Sequence, residues 1–142
     1  MNGPAICMAL AALGLAALCG GCRTGRYTFV DPQEDRVIEV KSGDRLNVDL
    51  EENATTGFMW KATCDDEDVE ITYERKPANQ FSPDGERLCG APGRVVVTVR
   101  VHRGFAGPAE VRFRYMRSWS KEVAREFTFV LNHYPTDKSP WK

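Results

Sequence analysis

Between Tyr27 and Tyr134, apolar and polar residues alternate in short runs bounded by Gly, Pro, Asn and Asp. A period of two sends one face of a strand into a core and the other into water. Leu46, Val48 and Leu50 form one such row, and Val95, Val97, Val99 and Val101 a second. Val111, Phe113 and Tyr115 form a third, and Phe127, Phe129 and Leu131 a fourth. Shorter runs predict further strands at 27–30, 37–40, 58–63 and 69–73, with turns at Lys41-Ser42-Gly43-Asp44 and across 102–108. No stretch carries a convincing helical period. Seven to eight strands with one apolar face each cannot bury their rows in a single open sheet. The expected class is therefore all-β, as an immunoglobulin-like β-sandwich; a small closed barrel is the alternative.

A chain of 142 residues fits one such domain and leaves little room for a second. The first 22 residues differ from the rest, because they carry no charged side chain and are dominated by Ala, Leu, Gly and Met from Ile6 to Leu18. That run is shorter than the roughly 20 residues a membrane-crossing helix needs, so it reads as an export signal. It ends in Leu18-Cys19-Gly20-Gly21-Cys22, which resembles the lipobox at which bacterial lipoproteins are cleaved and acylated. Cys22 then becomes a lipid-bearing N-terminus that attaches the protein to a membrane of the bacterial envelope; a plain secretory signal, with a periplasmic or secreted product, is the alternative. The expected organisation is a signal at 1–22, a tether at 23–26, a domain at 27–134 and a tail at 135–142.

Of five cysteines, Cys7 and Cys19 leave with the signal and Cys22 takes the lipid, so Cys64 and Cys89 remain as an exported pair. A disulfide between them would stabilise the fold by about 3 kcal/mol through the unfolded chain. All 19 basic and 20 acidic residues follow Cys22 and are interspersed, which argues against a nucleic-acid partner. The acidic run Asp65-Asp66-Glu67-Asp68 lacks the ligand spacing and glycine of an EF-hand and reads as a solvated turn. His102 and His133, with Cys64 and Cys89, match neither a metal spacing nor a nucleophile and base pair. No enzyme activity and no cofactor are expected.

Three loops beside predicted strand ends carry the functional signal. They are Asn53-Ala54-Thr55-Thr56-Gly57-Phe58, Gly90-Ala91-Pro92-Gly93 and Met116-Arg117-Ser118-Trp119. Together with Trp60 and Tyr115, and in this order on an all-β pattern, the set resembles the chagasin-type inhibitors of papain-family cysteine proteases. Their signatures are an N-P-T-T-G-[YF] loop, a G-x-G-G loop and an R-P-W loop. The resemblance spans nearly the whole domain. It implies a monomeric, reversible inhibitor whose three loops wedge into the protease cleft. Asn53, Ala54, Thr55, Thr56, Gly57 and Phe58 would cover the catalytic cysteine and histidine. Arg117, Ser118 and Trp119 would flank the cleft on one side, and Gly90, Ala91, Pro92 and Gly93 on the other. Phe58 and Trp60 read as core or bracing residues.

The residue types fit those roles on their own terms. A braced loop loses little entropy on binding, and Trp and Arg are frequent interface anchors. Ala54, Pro92 and Ser118 depart from the family pattern, but none of them removes a Thr, Arg or Trp. The competing reading is a lipid-anchored envelope sandwich that binds another partner or serves structurally, since this fold hosts many functions.

Overall fold

The computed structural model describes residues 24–77, 83–86, 90 and 92–134. Among them, apolar residues at every second position build eight strands: β1 (Arg26–Val30), β2 (Arg36–Val40), β3 (Arg45–Glu52), β4 (Phe58–Thr63), β5 (Val69–Lys76), β6 (Gly93–Val101), β7 (Ala109–Arg117) and β8 (Val123–His133). The strands form two four-stranded sheets, ordered β1-β3-β6-β5 and β2-β8-β7-β4. β1 runs parallel to β3 and β2 parallel to β8, while the remaining pairs are antiparallel. The all-β sandwich read from the sequence is the fold.

The alternating rows meet where the two sheets face each other. Leu46, Val48 and Leu50 stand opposite Val99, Val97 and Val95 across the β3–β6 ladder, and all six are buried. On the second sheet Phe113 stacks on Phe127 at 4.6 Å between ring centres, and Phe129 meets Phe113 edge-on at 5.3 Å. Each fully buried Leu, Val or Phe contributes about 1.5–3 kcal/mol of transfer free energy, so this double layer dominates the stability of the domain. Trp60 joins the layer at 5.5 Å from Phe127. Tyr115, the last member of its row, is only partly buried and lies against the rim of the core.

Three local expectations fare differently. The 41–44 turn forms, with Asp44 N–H donating to Lys41 O at 3.1 Å and Gly43 at φ +92°. The buried Asp44 carboxylate accepts from Lys41 N–H at 2.8 Å and Gly25 N–H at 2.6 Å, which pins the entry to β1. The acidic run folds as a turn in which Asp66 Oδ1 accepts from Asp68 N–H at 2.9 Å. Cys64 instead carries a free, half-buried thiol, so the expected Cys64–Cys89 disulfide is not formed here; Cys89 lies outside the described residues. Residues 1–23, which include Cys22 and the expected export signal, also lie outside them, as does the expected tail from 135 onward.

The topology gathers the three loops. Glu52 at the end of β3 pairs with Gly93 at the start of β6, and Phe58 at the start of β4 pairs with Arg117 at the end of β7. The chain crosses from one sheet to the other between Glu52 and Phe58. The loops that follow β3, precede β6 and follow β7 therefore share one end of the sandwich.

Candidate functional site

Asn53 organises the first loop. Its N–H donates to Tyr115 Oη at 3.0 Å, and its carbonyl accepts from Thr56 N–H at 3.2 Å and Thr56 Oγ1 at 2.8 Å. Its side-chain oxygen accepts from Thr55 Oγ1 at 2.6 Å. These bonds wind Ala54–Thr56 into one 3-10 turn, which Gly57 ends in the left-handed region at φ +80°. The Asn53 amide makes no cap to the backbone of the turn and instead ties the Thr55 hydroxyl, while Gly favours such an end because it has no Cβ. Ala54, Thr55 and Thr56 are exposed at the tip.

The third loop braces the first. Arg117 Nε donates to Thr56 O at 3.1 Å, and its guanidinium lies 4.3 Å from the centre of the Phe58 ring. Phe58 stacks on Tyr115 at 5.3 Å, and Tyr115 lies 5.0 Å from Trp60. Phe58 and Trp60 are thus bracing and core residues, as their place in the pattern suggested. Trp119 is 73% exposed, yet its indole covers Gly57. Ser118 is exposed between them, and Ser120 N–H donates to Arg117 O at 3.2 Å to close the turn.

The second loop touches the first more lightly. Gly90 O accepts from Asn53 Nδ2 at 3.5 Å, a long and weak contact. Gly90 has φ +79° with open space around its Cα, and Pro92 is exposed. Gly93 opens β6, and Ala91 lies outside the described residues. Arg94, next in the chain, is fixed by Asp49 at 2.7 Å and Asp31 at 3.0 Å. Those hydrogen bonds, with Asp49 first, hold its guanidinium pKa above its usual value.

Sequence reasoning missed the support beneath these loops. Glu52 is 4% exposed, and its carboxylate accepts from Trp60 N–H and from Arg75 Nε, each at 2.9 Å. The signal was present: Glu52 continues the inward row Leu46, Val48, Leu50, where a charge requires a partner.

What this end of the sandwich offers is an exposed, braced edge of Thr, Gly and Trp beside Arg117. His102, His133 and Cys64 belong to the opposite ends of the strands that carry the loops. Burial pushes the Cys64 thiol pKa up, with Asp66 and Asp65 adding to the effect against backbone hydrogen bonds that lower it. Among the described residues no group of three or more side chains could hold a metal.

Residues 39–132 match the family described as chagasin family peptidase inhibitor I42. No curated protein matches the chain in sequence. Among solved structures, the cysteine protease inhibitor EhICP2 from Entamoeba histolytica is similar with a TM-score of 0.61 at 18% identity, over 80% of this chain and 100% of that one. Amebosin is similar with a TM-score of 0.59 at 21% identity, over 78% of this chain and 98% of that one. PbICP-C, solved in complex with falcipain-2, gives 0.51 at 18% identity over 78% and 99%. At these identities the three structures speak to the fold alone; the family match across more than half of the sequence decides membership, and this chain belongs to the chagasin family of peptidase inhibitors, which are protease inhibitors and not enzymes.

Proposed function

We propose that this protein is a reversible inhibitor of papain-family cysteine proteases that fills the active-site cleft with three loops. The observation that carries the reading is the direct bracing of one loop by another. Arg117 and Trp119 hold the backbone of Thr56 and Gly57, although about 60 residues separate them in the chain. A loop held in this way loses little freedom when bound, so more of its contact energy appears as affinity. In this reading Asn53, Ala54, Thr55, Thr56, Gly57 and Phe58 cover the catalytic pair. Arg117, Ser118 and Trp119 flank one side, and Gly90, Ala91, Pro92 and Gly93 the other. Inhibition in this reading works by exclusion, with the side chains of Thr55 and Thr56 standing over the catalytic pair. That similar folds include a named cysteine protease inhibitor and one in complex with falcipain-2 supports the choice of target class.

Titration of the purified protein into papain and a cathepsin L-type enzyme, with a serine protease as control, tests this. Saturable inhibition of the cysteine enzymes alone is expected. No inhibition by a folded protein would hand the lead to a binding or structural module of the envelope.

The sequence before Arg23 supports export as a lipoprotein anchored through Cys22. Intact mass of the mature protein is then expected to show an acylated N-terminal Cys22, and an unmodified N-terminus beyond it would sink the anchor.

A further inference from the structure

β3 and β4 belong to different sheets, so no ladder of backbone hydrogen bonds holds the two ends of the 53–57 loop together. Two bonds to Trp60 take that place. Its backbone N–H donates to Glu52 Oε2 at 2.9 Å, and its indole Nε1–H donates to Glu51 O at 2.9 Å. Glu52 directly precedes Asn53 and lies opposite Gly93, where the second loop ends. One buried carboxylate therefore stands at the base of two of the three loops.

A buried carboxylate is costly unless a charge and hydrogen bonds compensate it. Arg75, on the neighbouring edge of the first sheet, supplies both through Nε at 2.9 Å from Oε1, and its own side chain is 40% exposed. The guanidinium is held in turn 5.2 Å from the centre of the Tyr73 ring, whose hydroxyl accepts from Ala62 N–H at 2.9 Å and donates to Ala62 O at 3.1 Å. The chain of contacts runs from β5 through Arg75 and Glu52 to β4, bridging the sheets beside the loops.

We infer that Glu52, charge-paired with Arg75, is a positioning residue that sets the geometry of the 53–57 loop for its target. The inference rests on the proposed inhibitory reading, but the positioning itself can be read without a protease. Glu52→Gln keeps the shape and the acceptor for Trp60 N–H while turning an amide NH2 toward Arg75 Nε, donor against donor. The loop base loosens while the aromatic and aliphatic core stays as it is.

Two measurements on the full protein decide it. Amide exchange at Thr56 and Gly57, whose N–H groups bond Asn53 O and Ala54 O, is expected to accelerate about tenfold in Glu52→Gln. Amides of Val97 and Phe113 in the core strands are expected to keep their wild-type rates. Inhibition of papain is expected to weaken by about tenfold. Arg75→Gln, which removes the charge from a half-exposed position and leaves Glu52 itself in place, should shift both readouts in the same direction. It decides the matter if Glu52→Gln does not fold. Acceleration spread equally over core and loop amides would mean a merely structural role and overturn the inference, as would wild-type loop exchange in both variants. Should the wild-type protein leave papain uninhibited, the inhibitory reading fails, and loop exchange in the two variants still decides the positioning role.

Discussion

The indole of Trp119 occupies the space that a side chain at Gly57 would need: a Cβ there would run into Cη2 and Cζ2 of the ring. The two residues belong to different loops, so each fixes the other. Gly57→Ala must push the indole away and also hold an L side chain at φ +80°, a conformation that costs about 1–2 kcal/mol. Because Trp119 is largely exposed, it can swing aside without disturbing the core. The expected outcome is a folded protein with a slightly lowered melting temperature and inhibition of papain weakened by at least about tenfold. Inhibition at wild-type strength would show that Gly57 and Trp119 do not need each other for binding.

Arg117 tests the nature of the brace. It acts through a donor at Nε and a planar face over Phe58, and an ammonium reproduces neither. Arg117→Lys and Arg117→Ala are thus expected to weaken inhibition to a similar extent, with both proteins folded. If lysine restores wild-type inhibition constants, charge alone is what the position supplies.

Tyr115 links the core to the loop through one atom. In Tyr115→Phe the ring still stacks with Phe58 and Trp60, but Asn53 N–H loses its acceptor. A typical hydrogen bond contributes about 0.5–1.5 kcal/mol net, and Asn53 is accessible enough for water to replace part of that. Thermal unfolding is expected to fall by a few degrees and inhibition by a few-fold. Unchanged values in both assays would remove Tyr115 Oη from the account of the loop.

The sandwich was legible because its core is written locally: alternation in β3, β6, β7 and β8 names inward residues without any knowledge of partners. Pairing is a non-local property. That β1 joins β3 in parallel, and β2 joins β8, follows from how the two sheets close, and nothing within 27–30 or 37–40 encodes it. The strand at 69–73 runs on to Lys76, because Glu74, Arg75 and Lys76 form an exposed edge where no apolar period is required. The loop tips were legible as motifs, and Trp119 as an exposed residue. The bonds beneath them were not. A glutamate beside Glu51 at a strand end resembles solvated surface, and only its place in the inward row distinguishes Glu52. The alternation marks Tyr115 as an inward residue, whereas its hydroxyl reaches the loop.

Ala54 offers a test in the direction of gain. It stands where the family pattern has proline, and the structure shows that site as the first residue of the 3-10 turn, directly after Asn53 at φ −105° and ψ 82°. The first position of a helical turn needs no N–H for an internal bond, and its φ is close to the value a proline ring fixes. The residue before proline is pushed out of the α region toward extended conformations; Asn53 already lies outside the α region, and its ψ of 82° needs only a modest opening to reach the extended range. Ala54→Pro should accordingly remove freedom from the unfolded chain and from the unbound loop at the cost of that small adjustment. Such substitutions stabilise by about 0.4–1 kcal/mol. The variant is expected to melt slightly higher and to bind papain up to a few-fold more tightly, with the gain appearing in association and dissociation rates measured by surface plasmon resonance. A variant that melts lower, or one that binds more weakly while remaining folded, would mean that the turn must open at Ala54 to fit its target, and that the loop is selected for give at this point rather than for stiffness.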